Sequence, residues 1–444
     1  MLWWNDPHGT GPSDEEAQMS ETTTDAAGRD AHRPTGLDHR LRRMTGRNPD
    51  EPHRSATPLE LFFDLVFVAA FSAAGSQTAH LLELGHFAAA TAGFVFAVFA
   101  IAWAWINFTW LASAYDNDDI FFRIATMVVM VGVIVLALGL PQAFHSIDEG
   151  GELENGVVVI GYVIMRVAVV ALWIRAARHD PAHRRTALAY IVLVSTAQAG
   201  WILLLVANPP LSTVFIVWIA LVLYEMAGPI IAERVGGRTP WHPHHVAERY
   251  GLLVIITLGE IVLGTILAIS AVVEEQGWDV EAVLVTVGGT MLAFGLWWVY
   301  FIMPSGAVLA RHRERGFVWG YGHLAIFGSL AATGAGLHVA AYVIEGTAHI
   351  DDTTALLTVV VPVAAYSTAL FTIYSALLRE FDPFHILLYV GSILPLVAAV
   401  MAVAAGASIG TGIVITSLSP IVVIVGYETI GHRHQAAALE RSLA

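Results

Sequence analysis

The chain has no cysteine and no lysine, and few charges of any kind. Without cysteine it can form no disulfide, thiolate nucleophile or zinc–sulfur site. Without lysine it can form no Schiff base and no lysine-based phosphate loop. Charged residues make up 13% of the sequence, about half the share of an ordinary soluble domain. Of 59 charged residues in 444, 17 fall within residues 1–55, so the remaining 389 residues carry only 42. A water-exposed surface of that size cannot be built from so few charges. A soluble enzyme, a nucleic-acid-binding protein and a secreted disulfide scaffold are thereby excluded.

What is abundant is apolar: 56% of the residues are hydrophobic. Residues 1–55 are the exception. They are polar, contain no apolar core resembling a secretory signal, and read as a disordered cytoplasmic tail. Beyond Ala56 long apolar runs alternate with short polar loops. A membrane-crossing helix needs about 20 apolar residues. Twelve runs qualify: 58–82, 87–111, 120–143, 156–175, 186–207, 211–232, 248–273, 280–303, 316–344, 353–378, 385–406 and 411–431. Unbroken runs of this length fit helices and not the alternating strands of a barrel. The expected fold is all-α, a polytopic bundle of about twelve transmembrane helices.

Arginine placement sets the expected orientation. If the N-terminus is cytoplasmic, the inner segments hold the seven tail arginines, Arg175, Arg178, Arg184, Arg185, Arg234, Arg238, Arg249, Arg311, Arg313, Arg315, Arg379, Arg433 and Arg441. The outer loops then hold none and are acidic. The expected location is a bacterial inner membrane with both termini in the cytoplasm.

The chain also echoes itself. Asp180-Pro181-Ala182-His183 recurs as Asp382-Pro383-Phe384-His385, and Tyr224-Glu225-Met226-Ala227-Gly228 as Tyr427-Glu428-Thr429-Ile430-Gly431. Trp105 matches Trp298, and Glu60 matches Glu248. These echoes keep their order and suggest duplication of a six-helix unit. The expected organisation is a tail (1–55), a first six-helix repeat (56–232), a cytoplasmic linker (233–247), a second repeat (248–431) and a short cytoplasmic tail (432–444). Six is even, so the repeats would insert in parallel, related by an axis along the membrane normal.

Two stretches carry a family resemblance. Ala56-Thr57-Pro58-Leu59-Glu60-Leu61-Phe62-Phe63-Asp64-Leu65-Val66-Phe67-Val68 resembles the opening signature of the bacterial low temperature requirement A family. Glu248-Arg249-Tyr250, followed by an apolar run ending in Leu258-Gly259-Glu260, is similar to its second signature. The resemblance spans roughly residues 56–430. It implies a multi-pass bacterial membrane protein and supplies no substrate or catalytic residue.

Charges inside the apolar runs are the candidate functional residues, because an ionised group in hydrocarbon costs several kcal/mol unless paired or wet. Thr57 and Glu60 form a capping box with Pro58 in the first helical turn; Glu60 is read as either a cap or a pathway residue. Asp64 lies one turn deeper on the same face, beyond the reach of capping. Arg166 sits mid-run and needs a carboxylate from among Asp64, Glu225 and Glu260. Glu260 lies near mid-membrane between Gly259 and Gly264. Glu225 and Glu428 are repeat mates and read as helix-end contacts; Glu248 and Arg249 read as an interfacial pair. Trp103, Trp105, Trp110, Trp297 and Trp298 read as interface anchors, and Asn107, Gln198, His323 and His338 as inter-helix hydrogen bonders. The histidines at 242, 244 and 245 have poor spacing for a metal, and no metal or cofactor is expected.

No nucleotide, hydrolase or dinucleotide motif stands in a fitting context, so neither an enzyme nor an ATP-driven pump is expected. The leading expectation is an ion-gradient-coupled transporter or permease for a small solute or ion, with the proton as coupling ion. In it Asp64, Arg166, Glu225 and Glu260 would meet in one hydrated cavity. Phe62-Phe63-Asp64 is also faintly similar to the Phe-Ser-Asp helix of a potassium channel family, which makes a cation channel an alternative. A non-catalytic membrane sensor or scaffold linked to cold growth is another. Partners other than the bilayer, and the oligomeric state, are not readable.

Overall fold

A computed structural model describes residues 41–51, 54–379 and 382–443. Apart from connecting loops these residues are helical, with no strand among them. Twelve helices are long and apolar enough to cross a membrane. The first six are α1 (Pro58–Glu83), α2 (Phe87–Tyr115), α3 (Ile120–Glu149), α4 (Gly156–His179), α5 (Arg184–Ala207) and α6 (Leu211–Gly236). Then come α7 (Pro243–Gln276), α8 (Val280–Phe301), the short α9 (Ser305–Arg311), α10 (Gly316–Ile344), α11 (Asp352–Leu378), α12 (Pro383–Ala404), α13 (Ile409–Gly426) and α14 (His432–Leu443). A π-helical turn, Tyr427–Gly431, joins the last two.

Seven of the twelve spans start where an N-cap side chain accepts from an otherwise orphaned amide. Thr57 Oγ1 accepts from the Glu60 amide and the Glu60 carboxylate accepts from the Thr57 amide, so the capping box closes. Asp119, Asp279, Asp351 and Asp382 cap α3, α8, α11 and α12 in the same manner. Between caps the chain has no alternative to i→i+4 bonding, because lipid offers the backbone no partner.

The helices differ in what they touch. The apolar stretch of α10 is 83% buried and that of α6 only 17%. The centre of α10 is small, with Gly328, Ser329, Ala331, Gly334, Ala335 and Gly336 all buried, and it packs on α1, α2, α7 and α11. The outer side chains of α6, such as Ile216 at 70% exposure, suit contact with acyl chains. Small residues also set the closest approach in the first half. A Cβ on Gly161 of α4 would lie 2.4 Å from the Leu136 amide nitrogen and 2.5 Å from the Gly132 carbonyl of α3, the small-residue contact typical of membrane helices.

Neighbour order is similar in the two halves. In the first, α1 packs on α2 and α3, then α3 on α4, α4 on α5 and α5 on α6. In the second, α7 packs on α8 and α10, then α10 on α11, α11 on α12 and α12 on α13. One strong contact has no counterpart: α13 also packs on α8. There Pro420 of α13 faces Gly295 of α8.

The tail expected to be disordered is residues 1–55; of these, 1–40, 52 and 53 lie outside the described residues, and the described stretch from residue 42 is packed instead of disordered. The Met44 amide donates to His179 Nδ1, the Gly46 amide to Asp180 and the Arg47 amide to the Ala114 carbonyl. Met44 is fully buried. This stretch closes over the ends of α2 and α4, where main-chain acceptors await donors.

Candidate functional site

The first turns of α1 and α7 face each other, and both carry charge. Glu60 and Asp64 lie on one face of α1, a single turn apart. His245 and Arg249 repeat that spacing on α7. The Arg249 guanidinium takes Asp64 in a fork, Nη2 to Oδ1 at 2.6 Å and Nε to Oδ2 at 3.2 Å. Its Nη1 lies 2.8 Å from Glu60 Oε1, an ionic contact without hydrogen-bond alignment. His245 Nε2 lies 3.2 Å from Glu60 Oε1 and 3.3 Å from Oε2. From α2, Trp105 Nε1–H donates to Asp64 Oδ1 at 2.7 Å. Asp64, His245 and Arg249 are wholly buried, and Glu60 is 2% exposed.

Aromatic rings seal this network. Phe63 and Trp105 place their rings 5.8 and 5.7 Å from the guanidinium carbon, within cation–π range. Tyr250, next along α7, meets Trp105 edge-on at 4.9 Å and accepts from Trp110 Nε1 at 2.8 Å. The tryptophans of α2 are therefore core residues: Trp103 and Trp105 are 1% and 0% exposed. The expectation of interface anchoring fails for both, because each ring is consumed by packing inside the bundle. Trp297 and Trp298, at 43% and 47% exposure, do face outward.

Outside the membrane spans the network continues into Arg54 and Asp116. Arg54 donates to the Ser113 carbonyl and, at 2.8 Å, to the Ala112 carbonyl, which also accepts from the Asp116 amide at the end of α2. Burial and the neighbouring Arg47 lower its pKa to about 10. Asp116 is 5% exposed. Burial and the nearby Glu60 charge push its carboxyl up from 3.8 to about 6, against the lowering effects of the Asp118 amide and Arg54. Glu60, Asp64 and Asp116 contribute three negative charges; Arg54 and Arg249 contribute two positive ones. With His245 neutral the set is one positive charge short. His245 Nδ1 is buried with no hydrogen-bond partner, so the imidazole has an unused lone pair when Nε2 carries the proton.

The other expected residues lie elsewhere. Arg166 of α4 pairs with Glu225 of α6 at 2.6 Å and bonds Tyr162 at 2.5 Å. Trp201 Nε1 donates to the second Glu225 oxygen at 2.8 Å. That pair is 3% and 7% exposed and self-contained within the first half. Glu260, 4% exposed, lies beside Ser72 of α1 and packs against Gly334 of α10; among the described residues no salt bridge reaches it. Among the described residues the four groups therefore occupy three separate places: Asp64 with Arg249, Arg166 with Glu225, and Glu260 apart from both.

Other expectations need correcting in the same terms. Glu248 and Arg249 are not an interfacial pair. Consecutive helical residues point about 100° apart, so Glu248 is exposed and accepts from the Ala56 amide at 3.3 Å while Arg249 is buried. Glu225 is buried, whereas its repeat mate Glu428 is exposed in the π-helical turn. Asn107 bonds the Trp103 carbonyl of its own helix, whereas His323 reaches Tyr300 of α8 at 2.9 Å. His245, Trp105, Tyr162 and Trp201 were missed as site residues. His245 was legible, since it precedes Arg249 by four residues and so shares its face.

This architecture defines a polytopic α-helical membrane protein with a charged junction buried between two groups of helices. Residues 55–420 match the family described as bacterial low temperature requirement A protein (LtrA), and the chain belongs to that family. It is 29% identical over 294 residues to an uncharacterized protein of Rhizobium meliloti (strain 1021), covering 62% of this chain and 67% of that one. No solved structure matches it.

Proposed function

We propose that this protein is a proton-coupled permease of the bacterial inner membrane, in which the α1–α7 junction is a proton-responsive clamp. The observation that carries the reading is the charge count at that junction: three carboxylates, two guanidiniums and an imidazole with an open nitrogen. A dry interior favours a neutral set. Proton uptake at His245 Nδ1 supplies the missing charge. The imidazolium then holds Glu60, Arg249 holds Asp64, and both attractions cross from α7 to α1. Proton release leaves Arg249 shared between two carboxylates, which weakens the clamp at this end of the bundle. Glu260, farther along α7 and without a cation beside it among the described residues, can receive a proton or cation from the junction.

The similar neighbour order of the two halves supports descent from a duplicated six-helix unit, with both termini cytoplasmic. Rocking of one half on the other would open and close the junction. Asp64, Glu60 and Glu260 serve as pathway carboxylates in this reading. Arg166 and Glu225 hold the first half together and move with it.

The test is reconstitution into vesicles loaded with a pH-sensitive dye, under a pH gradient, against a panel of monovalent cations, amino acids and small organic acids. A solute that collapses the gradient identifies the cargo. Asp64→Asn and His245→Gln are expected to cut coupled proton flux by at least tenfold. Unchanged flux in both, or single-channel currents in a planar bilayer, would overturn the proposal.

A further inference from the structure

The C-terminal helix α14 is amphipathic and lies across the ends of the second-half helices. Gln435 Nε2 donates to the Ile302 carbonyl at 3.2 Å, and Tyr427 donates to Gln435. His312 Nε2 is 2.7 Å from the Ser442 carbonyl, and His434 Nδ1 is 3.0 Å from Asp382. These bonds tie both ends of α14 down. Beneath it, between α11 and α12, is a cavity of about 770 Å³.

The lining of this cavity is mixed. Arg433, Arg441 and His434 of α14 face apolar Phe371, Leu378 and Ile386 of α11 and α12, with hydroxyl side chains of α11 among them. Among the described lining residues Asp382 is the acidic one, and its carboxylate accepts from the Phe384 amide and pairs with His434. His385 also lines the cavity. Its ring is stacked on Tyr374 at 4.0 Å, and its Nε2 is buried with no hydrogen-bond partner. On the outward side Ile386 is 45% and Leu387 62% exposed, so the apolar lining continues onto the lipid-facing surface of α12. The cavity stands at the same end of the bundle as the start of α1, where the arginines concentrate.

We propose that this cavity binds an anionic phospholipid. The phosphate sits between Arg433 and Arg441 and accepts from His385 Nε2–H; one acyl chain follows Ile386 down α12. The apolar lining and its continuation onto the exposed face of α12 favour a lipid over a free anion, since a small solute would leave Phe371, Leu378 and Ile386 unused. Each arginine near a membrane surface contributes a factor of about five in affinity for anionic lipid, and two together about 30.

The experiment is native mass spectrometry of the full chain in detergent, titrated with phosphatidylglycerol, with phosphatidylcholine of identical acyl chains, or with inorganic phosphate. Selective retention of phosphatidylglycerol is expected, with retention falling about 30-fold in R433Q/R441Q and measurably in H385F. The lipid-free melting temperature of each variant, matched to wild type, shows that folding is intact. Equal retention of both lipids, undiminished retention in the double variant, or competition by millimolar inorganic phosphate would each overturn the proposal. A double variant that fails the melting control is replaced by the single substitutions R433Q and R441Q, each expected to lose about fivefold.

Discussion

Arg249 is the residue whose removal most directly tests the account of the junction. Truncation in Arg249→Met leaves Asp64 with a single donor, Trp105 Nε1, and leaves Glu60 with His245 and its own cap. Both carboxylates stay buried. Breaking a buried ion pair from one side costs about 3–5 kcal/mol, and two carboxylates sharing one cation put this case at the upper end. Asp64→Asn is milder, because Arg249 keeps Glu60 and the amide oxygen can still accept; about 1–3 kcal/mol is expected. Combining Asp64→Leu with Arg249→Met removes both charges and should cost clearly less than Arg249→Met alone. The assay is reversible unfolding in mixed micelles, with free energies of wild type, Asp64→Leu, Arg249→Met and the double variant closing a double-mutant cycle, and Asp64→Asn measured alongside. The expected order is Arg249→Met worst, Asp64→Asn intermediate, and a coupling of at least about 2 kcal/mol. Additive effects, or an Arg249→Met protein within 1 kcal/mol of wild type, would refute a desolvated network at this position.

Asp116 gives the pH dependence its sign. Its folded-state carboxyl titrates at about 6 rather than 3.8, so the fold binds that proton more tightly than the unfolded chain does. The resulting stabilisation is complete below pH 3.8 and is lost as pH rises through about 6, a change of at most about 3 kcal/mol. Melting curves between pH 4 and 7.5 should show this slope in the wild type and lose it in Asp116→Asn. Gly161→Val would push a side chain into the Leu136 amide and Gly132 carbonyl; a loss of about 1–3 kcal/mol or more is expected, read as a lowered melting temperature. In the first half, Arg166→Met should cost about 3–5 kcal/mol and Arg166→Met/Glu225→Leu markedly less. A double variant as unstable as the single one would argue against that pair being a closed unit.

Much of the fold was legible because a bilayer is an exacting solvent. The apolar run 120–143 had to become a helix, since no other backbone arrangement satisfies itself in lipid. The structure extends it to Ile120–Glu149, because Gln142, Ser146 and Glu149 can continue a helix in water as well. The capping box at Thr57 was legible for the same local reason. Partner choice was not. Arg166 had three candidate carboxylates, and only the packing of α4 beside α5 and α6 brought Glu225 within reach. Glu248 and Arg249 read as a pair in sequence; the helix turn separated them and sent one to water and the other to Asp64.

The sequence by itself determined that this chain spans a membrane as twelve helices and which charges must be accounted for inside; it placed the helix starts to within two residues except that of α7, which begins at Pro243 rather than at 248, inside the expected linker. These follow from hydropathy, length and capping, all short-range or solvent-imposed. Only the tertiary structure decided how the charges are shared: Asp64 and Glu60 with Arg249 and His245, and Glu225 with Arg166, while no salt bridge reaches Glu260 among the described residues. That outcome depends on which helix faces which, and helix order in space is set by small-residue packing across the whole bundle rather than by any local run of residues.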